Sequence, residues 1–184
     1  MSEPIFEPLV RFWRFRKAAK LIKKNSTVID IGCGPKAHFL FAVRKKISKG
    51  IGIDRLVGKK KDKKIELLSS AVSKKIPLSN KYADHVTMLA VLEHLENYPE
   101  VLLESYRILK PGGTLILTTP TWLNKPLLEF LAFKLGLISK REIAEHKQYF
   151  WKKDLVTPLR KAGFKKIKHQ YFQLFLNNFV VAEK

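Results

Sequence analysis

A chain of 184 residues, 46% hydrophobic and 11% aromatic, has the size and apolar content of one globular unit with a sizeable core, so residues 1–184 are read as a single domain. One cysteine, Cys33, excludes an internal disulfide and a Cys-rich metal site. The formal charge of +20 points to anionic partners, yet 28 of the 36 basic residues are Lys and only 8 are Arg, the residue that forks onto guanine and phosphate.

In chain order, residues 1–24 predict a leading basic helix, with Leu9, Val10, Trp13, Ala18, Leu21 and Ile22 forming an apolar face among Arg and Lys. Its start, Met1-Ser-Glu-Pro, lacks the basic-then-apolar pattern of a secretory leader, so a cytoplasmic location is expected. Thr27 to Ile31 is a β-branched run that stops at Gly32, which predicts a buried strand ending in a tight turn. Ala37, Leu40, Phe41, Val43 and Ile47 then recur at helical spacing, and Gly50 to Asp54 predicts a second strand. The Lys59 to Lys64 cluster leaves so little room before the apolar run Ile65 to Leu68 that the crossover helix there is short or absent.

Val86 to Ala90 predicts a strand, Pro99 to Leu109 a helix closed by the turn Lys110-Pro-Gly-Gly113, and Thr114 to Thr119 a further strand. Residues 120–150 leave this rhythm as a lid-like excursion: Leu127 to Leu137 reads as an apolar helix and Ser139 to Ile143 as the capped start of another. The apolar-rich stretch Leu127 to Ile138, broken by Glu129 and Lys134, falls short of the roughly 20 residues that span a bilayer. Asp154 to Ala162 predicts a helix with Pro158 at odds with its interior, and Phe164 to Tyr171 and Phe175 to Ala182 predict an antiparallel pair of strands. The β, α alternation argues for an α/β fold with a doubly wound, mostly parallel sheet.

Function concentrates at Asp30-Ile-Gly32-Cys33-Gly34. Ligands in such sheets bind at the carboxyl ends of the strands, where glycine lets them approach the backbone. Gly32, Gly34 and Ala37 also fit a dinucleotide turn, with Asp54 placed 20 residues beyond Gly34 for a ribose, so a nicotinamide oxidoreductase is one reading. Asp30 argues otherwise: a carboxylate at the strand tip repels a pyrophosphate but attracts the ammonium of an amino-acid-like ligand. S-adenosylmethionine has no phosphate, and its ammonium, sulfonium and ribose complement Asp30 and Asp54.

Val28 to Gly34 resembles the first motif of class I S-adenosylmethionine-dependent methyltransferases, and Gly52-Ile-Asp54 resembles the second. Ile76 to Leu95 is similar to the family's third and fourth region, Lys110 to Gly113 to the turn before its fifth strand, and His146 to Phe164 to the end of the branch acting on small molecules, quinones, lipids or sugars. The resemblance implies a Rossmann-like, seven-stranded sheet with an antiparallel C-terminal strand pair. It further implies that Asp30, Gly32, Cys33 and Gly34 line the methionine end of S-adenosylmethionine, that Asp54 holds the ribose, and that Leu89 and Ala90 lie beneath the cofactor.

Two departures are visible. Lys36 stands where the family often has a third glycine, and Ser70, Ala71 and Val72 stand where an acid often meets the adenine, so backbone N–H groups and apolar packing take that role. In similar quinone O-methyltransferases an acid joins a pair like Glu93-His94 to bind magnesium; Ala90 occupies its place, so no metal is expected. His94 and His146 are the catalytic candidates, as bases or acceptor-orienting groups. Cys33, inside the turn, is not read as a nucleophile.

No Asn-Pro-Pro-Tyr or Asp-Pro-Pro-Tyr follows the fourth strand; Ala90 to Glu93 stands there, so enzymes that methylate adenine or glutamine nitrogen are not resembled. A small-molecule, lipid-linked or glycan acceptor is the leading expectation. The Lys excess keeps open an RNA acceptor, an inactive basic binding module, and peripheral contact with an anionic membrane through Arg11, Arg14, Arg16 and Lys17.

Overall fold

β-branched and aliphatic runs that alternate with short amphipathic segments can bury both faces only by becoming the middle of a layered α/β structure. The computed structural model describes residues 7–58, 60–61, 63–71, 75–134 and 147–184. In chain order these are α1 (Glu7–Leu21), β1 (Ser26–Ile31), α2 (His38–Val43), β2 (Ile47–Asp54), β3 (Lys60–Lys61), β4 (Ile65–Ser69), β5 (Ala83–Leu89) and a single 3₁₀ turn (Leu92–His94). There follow α3 (Tyr98–Ile108), β6 (Leu109–Pro120), α4 (Asn124–Glu129) running into a π turn (Phe130–Lys134), α5 (Lys152–Lys161), β7 (Lys165–Phe172) and β8 (Asn177–Glu183).

The sheet order is β3-β4-β2-β1-β5-β6-β8-β7. Strands β4, β2, β1, β5 and β6 run parallel, while β8 pairs antiparallel with both β6 and β7. The six strands read from the residues are present, the apolar run at Ile65 to Leu68 forms β4 and completes the seven that the resemblance implied, and the C-terminal pair is antiparallel. An eighth was not foreseen: Lys60–Lys61, in the lysine cluster, pairs antiparallel with β4 through Lys60↔Leu67 and Lys61↔Glu66.

Alternation along β1 sorts the core into two layers. Ile29 and Ile31 face α3 and α5, packing with Leu102, Leu155 and Leu159, whereas Val28 faces α1 and α2, packing with Ala18, Phe39 and Leu40. Each such side chain removed from water contributes about 1.5–3 kcal/mol. Asp84 joins β1 to β5 by accepting from the Thr27 N–H at 2.7 Å and from Lys110 Nζ at 2.9 Å. Burial pushes its carboxyl up, but these partners outweigh that and hold it below its ordinary value.

Three local expectations are corrected. Ile47 is not on the α2 face; it opens β2, because α2 stops at Val43 and the chain turns by Lys46 N–H donating to Val43 O at 2.8 Å. Lys110 to Gly113 is not a turn outside the strand: it is looped within β6, between the pairs Ala83↔Leu109 and His85↔Thr114, with Gly112 at φ +74°. The apolar face of α1 is also misplaced. Ala18 and Ile22 are buried and Phe15 and Ala19 pack beside them, but Leu9, Val10, Trp13 and Leu21 stand in solvent.

Pro158 lies inside α5 as expected and cannot donate to the Asp154 carbonyl one turn back. That carbonyl instead meets the Tyr98 hydroxyl at 3.5 Å. Among the described residues no helix is long and apolar enough to cross a membrane. The helix expected at Ser139 to Ile143 and the end of the Leu127 to Leu137 helix lie outside the described residues.

Candidate active site

The crevice lies over the carboxyl ends of β1, β2, β5 and β6 and begins with the turn after β1. Gly32 and Gly34 both adopt φ +70°, a left-handed conformation that L side chains rarely take. The two glycines serve different ends. A Cβ on Gly32 would lie 2.4 Å from Val91 Cγ2, so this residue is packed against the loop after β5; a Cβ on Gly34 would meet nothing within 4 Å and faces open space. Gly32 N–H donates to Ile53 O at 2.7 Å, and Gly34 N–H donates to Asp54 Oδ2 at 3.0 Å. Asp54 Oδ1 also accepts the Leu56 N–H at 2.8 Å, so the acid at the β2 tip shapes the glycine turn beside it.

Asp30 is buried, 3% exposed, in register with Gly52 on one side and Thr87 on the other. The Thr87 hydroxyl donates to Asp30 Oδ1 at 2.6 Å. Burial, helped to a lesser degree by nearby Asp54, pushes the Asp30 carboxyl up to about 7 despite that bond. Such a carboxyl is poised to ionise when a cation arrives. Cys33, half-buried, has its thiol pushed up by burial first and then by Asp30 and Asp54, so it stays protonated and is a poor nucleophile.

At the β5 tip, Leu89 is partly buried and Ala90 has φ +62°, its N–H donating to the Thr118 carbonyl at 3.0 Å and hydroxyl at 3.1 Å. His94 closes the 3₁₀ turn and is half-buried. Its neighbour Glu93 is 1% exposed, and its Oε2 has no hydrogen-bond partner. The Thr119 hydroxyl is likewise buried, lies near the Glu93 carboxyl, and makes no hydrogen bond of ordinary geometry. Burial raises the Glu93 carboxyl, with His94, Arg14 and Thr119 near enough to pull the other way. A buried carboxyl with one oxygen unpartnered costs stability that another group must offset.

Residues 147–151 run beside this loop: Lys147 N–H donates to Glu93 O at 2.8 Å, Gln148 Nε2 to Leu95 O at 2.7 Å, and buried Asn178 Nδ2 holds Phe150 O at 3.0 Å. A groove of about 540 Å³ lies along it, walled by the rings of Tyr98, Trp122, Tyr149, Phe150 and Trp151 and by the polar side chains of Gln148, Lys153 and Asp154. A second cleft of about 620 Å³ sits on the flank of β2 and β4 and, among the described residues, approaches the crevice through Ser69 and Ser70. Ala71 is exposed just beyond them, whereas Val72 and His146 lie outside the described residues.

The structure thus gathers Asp30, Gly32, Cys33, Gly34 and Asp54 around one turn, with Leu89, Ala90 and His94 on the loop after β5. Sequence reasoning missed Thr87, the buried state of Glu93, Thr119 and Asn178. A polar residue in an otherwise apolar strand was the available signal for Thr87. The run Thr118-Thr119-Pro-Thr121 at the end of a buried strand was the signal for Thr119.

The profile of the methyltransferase domain family matches residues 5–169. This chain belongs to that family. The chain is 32% identical over 163 residues to the ubiquinone/menaquinone biosynthesis C-methyltransferase UbiE of Neisseria meningitidis, covering 79% of this chain and 65% of the relative. It therefore spans about two thirds of that relative's length. A Haloferax volcanii putative methyltransferase, solved in complex with the Trm112 methyltransferase activator, aligns over 100% of this chain and 99% of the other, with TM-score 0.75 and 18% identity. An S-adenosylmethionine-dependent methyltransferase from Archaeoglobus fulgidus aligns over 96% and 94%, with TM-score 0.74 and 20% identity. The fold is that of class I, S-adenosylmethionine-dependent enzymes, and S-adenosylmethionine is the cofactor of the family.

Proposed function

We propose that this methyltransferase transfers a methyl group from S-adenosylmethionine to a small, lipophilic acceptor that carries a ring hydroxyl, of the quinol or phenol class. The observation that supports the acceptor class is a buried polar pair, Glu93 in the 3₁₀ turn after β5 and Thr119 near the end of β6, whose Oε2 and Oγ1 have no hydrogen-bond partner of ordinary geometry, on the segments that adjoin a groove walled by aromatic rings. A flat ring can stack on the aromatic side chains of this groove, whose remaining lining, Gln148, Lys153 and Asp154, is polar, and a ring hydroxyl could then bond to Glu93 and Thr119. The similarity to UbiE supports the same class.

The turn fits the cofactor chemically. Gly34 leaves open the space a Cβ would fill, and Asp30 is an acid that buries well only when neutral or paired with a cation. In this reading Asp30, Gly32, Cys33 and Gly34 hold the methionine end, Asp54 the ribose, Leu89 and Ala90 the underside, and Ala71 and Val72 the adenine. When bound, S-adenosylmethionine supplies an electrophilic methyl on a sulfonium. The chain's task is then placement: holding an acceptor at near-attack distance in a dry site can be worth ~7–11 kcal/mol. Glu93, raised by burial, accepts the acceptor's hydroxyl proton, and His94 and His146 orient the ring.

Incubation with methyl-labelled S-adenosylmethionine and a short-chain 2-prenyl-1,4-naphthohydroquinone tests this. Label in the quinol is expected. Label in RNA and none in the quinol overturns the acceptor class, and failure to bind S-adenosylmethionine at millimolar concentration overturns the cofactor assignment.

A further inference from the structure

We propose that the rim of the crevice docks on an anionic lipid surface, through three apolar elements that the fold locks side by side. The first is the outer half of α1, where Phe12 and Trp13 stand 55% and 52% exposed. The second is the β7–β8 turn, with Leu174 88% and Phe175 63% exposed. The third is the entry to α4, with Trp122 and Leu123 exposed. Gln173 Nε2 donates to Val10 O at 3.2 Å, tying α1 to the turn; Thr121 Oγ1 donates to Phe175 O at 2.9 Å, tying the turn to the entry of α4. Phe172, Asn177 and Pro120 end their strands in register beneath this junction, so the rim sits at the carboxyl end of the sheet, where the crevice opens.

Single exposed apolar side chains need no explanation, but a joined set of this size on one edge does. The turn adds a second observation. Gln173, Leu174 and Phe175 all have positive φ, at 52°, 56° and 66°, where Gly or Asn would cost less. Leu174 is almost fully exposed and Phe175 has a ring contact with Tyr171 at 5.8 Å, so two large apolar residues at a strained, water-facing tip return little to folding, which is the pattern of a part kept for contact.

Charge identifies the occupant. Arg16 lies over the Trp13 ring at 5.9 Å and Lys125 over the Trp122 ring at 5.7 Å, so each exposed indole on this rim is paired with a cation. Indole beside a basic group is the chemistry of a headgroup boundary: the ring takes the interfacial depth and the cation meets phosphate. Arg11, Lys17 and Lys20 continue the basic character along α1; the acid on the α4 side, Glu129, lies 4.0 Å from Lys125. With a net charge of +20, attraction to an anionic leaflet acts over roughly a Debye length and orients the rim before it inserts. A lipophilic acceptor would then reach the crevice without crossing water. This last point rests on the proposed acceptor class; the docking itself does not.

The test is cosedimentation of the full chain with vesicles of phosphatidylcholine alone and of phosphatidylcholine mixed with phosphatidylglycerol, for the wild type and a Leu174→Asn, Phe175→Gly double variant. Asn and Gly suit the left-handed backbone, so the variant should melt no lower than the wild type, which separates docking from folding. Binding to the mixed vesicles is expected, weakened roughly tenfold or more in the variant, since two apolar insertions are lost. Affinity for S-adenosylmethionine in solution should not change. Equal binding by both proteins overturns the proposal, because attraction would then be a general polyelectrolyte effect. A wild-type dimer by light scattering that the variant converts to monomer, with no vesicle binding, also overturns it by making the rim a self-association face. Loss of S-adenosylmethionine binding with vesicle binding intact would sink the enzymatic reading and leave the docking standing.

Discussion

Replacing Asp30 by Asn should make the ligand-free protein more stable at alkaline pH and blind to its cofactor. The unfolded chain releases the Asp30 proton near 3.8 and the folded chain near 7, so between these values the native state binds more protons. Stability therefore falls as pH rises through that window, and the loss is complete above the folded value. From about pH 5 to about pH 7 that is two units, and at 1.36 kcal/mol per unit the wild type should lose about 3 kcal/mol relative to Asp30→Asn. The Asn side chain can still accept from the Thr87 hydroxyl, so geometry is kept while the titration is removed. Urea unfolding of both proteins at about pH 5 and about pH 8 measures the difference directly, with other titrating groups cancelling. Saturating S-adenosylmethionine should recover the loss in the wild type only. Calorimetry near neutral pH in buffers of different ionisation enthalpy should also show proton release on binding, absent in the variant. A stability gap that does not change with pH would refute the argument that Asp30 waits for a cation.

Gly32→Ala should cost about 2–4 kcal/mol in thermal or urea unfolding, since its Cβ would strike Val91 at 2.4 Å on a left-handed backbone. Gly34→Ala meets no protein atom and should cost about 1 kcal/mol, yet weaken S-adenosylmethionine binding more than tenfold; comparable affinity to wild type would remove Gly34 from the site. His85, pushed down to about 4 by burial, accepts the Lys23 N–H at 3.1 Å as a neutral ring. The unfolded chain takes up that proton first as pH falls from 6.5 toward 4, so stability should decline across this window, and His85→Gln should flatten the decline in unfolding curves. Glu93→Gln should leave S-adenosylmethionine affinity unchanged, gain stability relative to wild type as pH rises, and slow transfer to a quinol; unchanged transfer would remove Glu93 from the reaction.

The scaffold was legible because its signals are local. Thr27 to Ile31 followed by Gly32 announces a buried strand and turn from residue types alone, and Asp54 closes the next strand in the same way. What was hidden depends on pairing across the chain. Lys60–Lys61 has no strand character of its own and exists as β3 only through β4. Ile47 fitted the α2 period by coincidence, since an apolar residue four beyond Val43 suits either a helix face or a strand start. The outer face of α1 looked like core because periodicity reports amphipathicity but not which side meets protein. Thr87 and Thr119 gain meaning only when register places one against Asp30 and the other near Glu93.

One margin of the sheet among the described residues is a lysine-rich strand, β7, which carries Lys165, Lys166 and Lys168. Unpaired backbone at such margins invites a second molecule to extend the sheet, and two copies meeting there would align like charges at close range. Part of the surplus positive charge thus sits where it would disfavour such edge-to-edge growth. Salt or polyanions, by masking it, should bring the protein closer to aggregation.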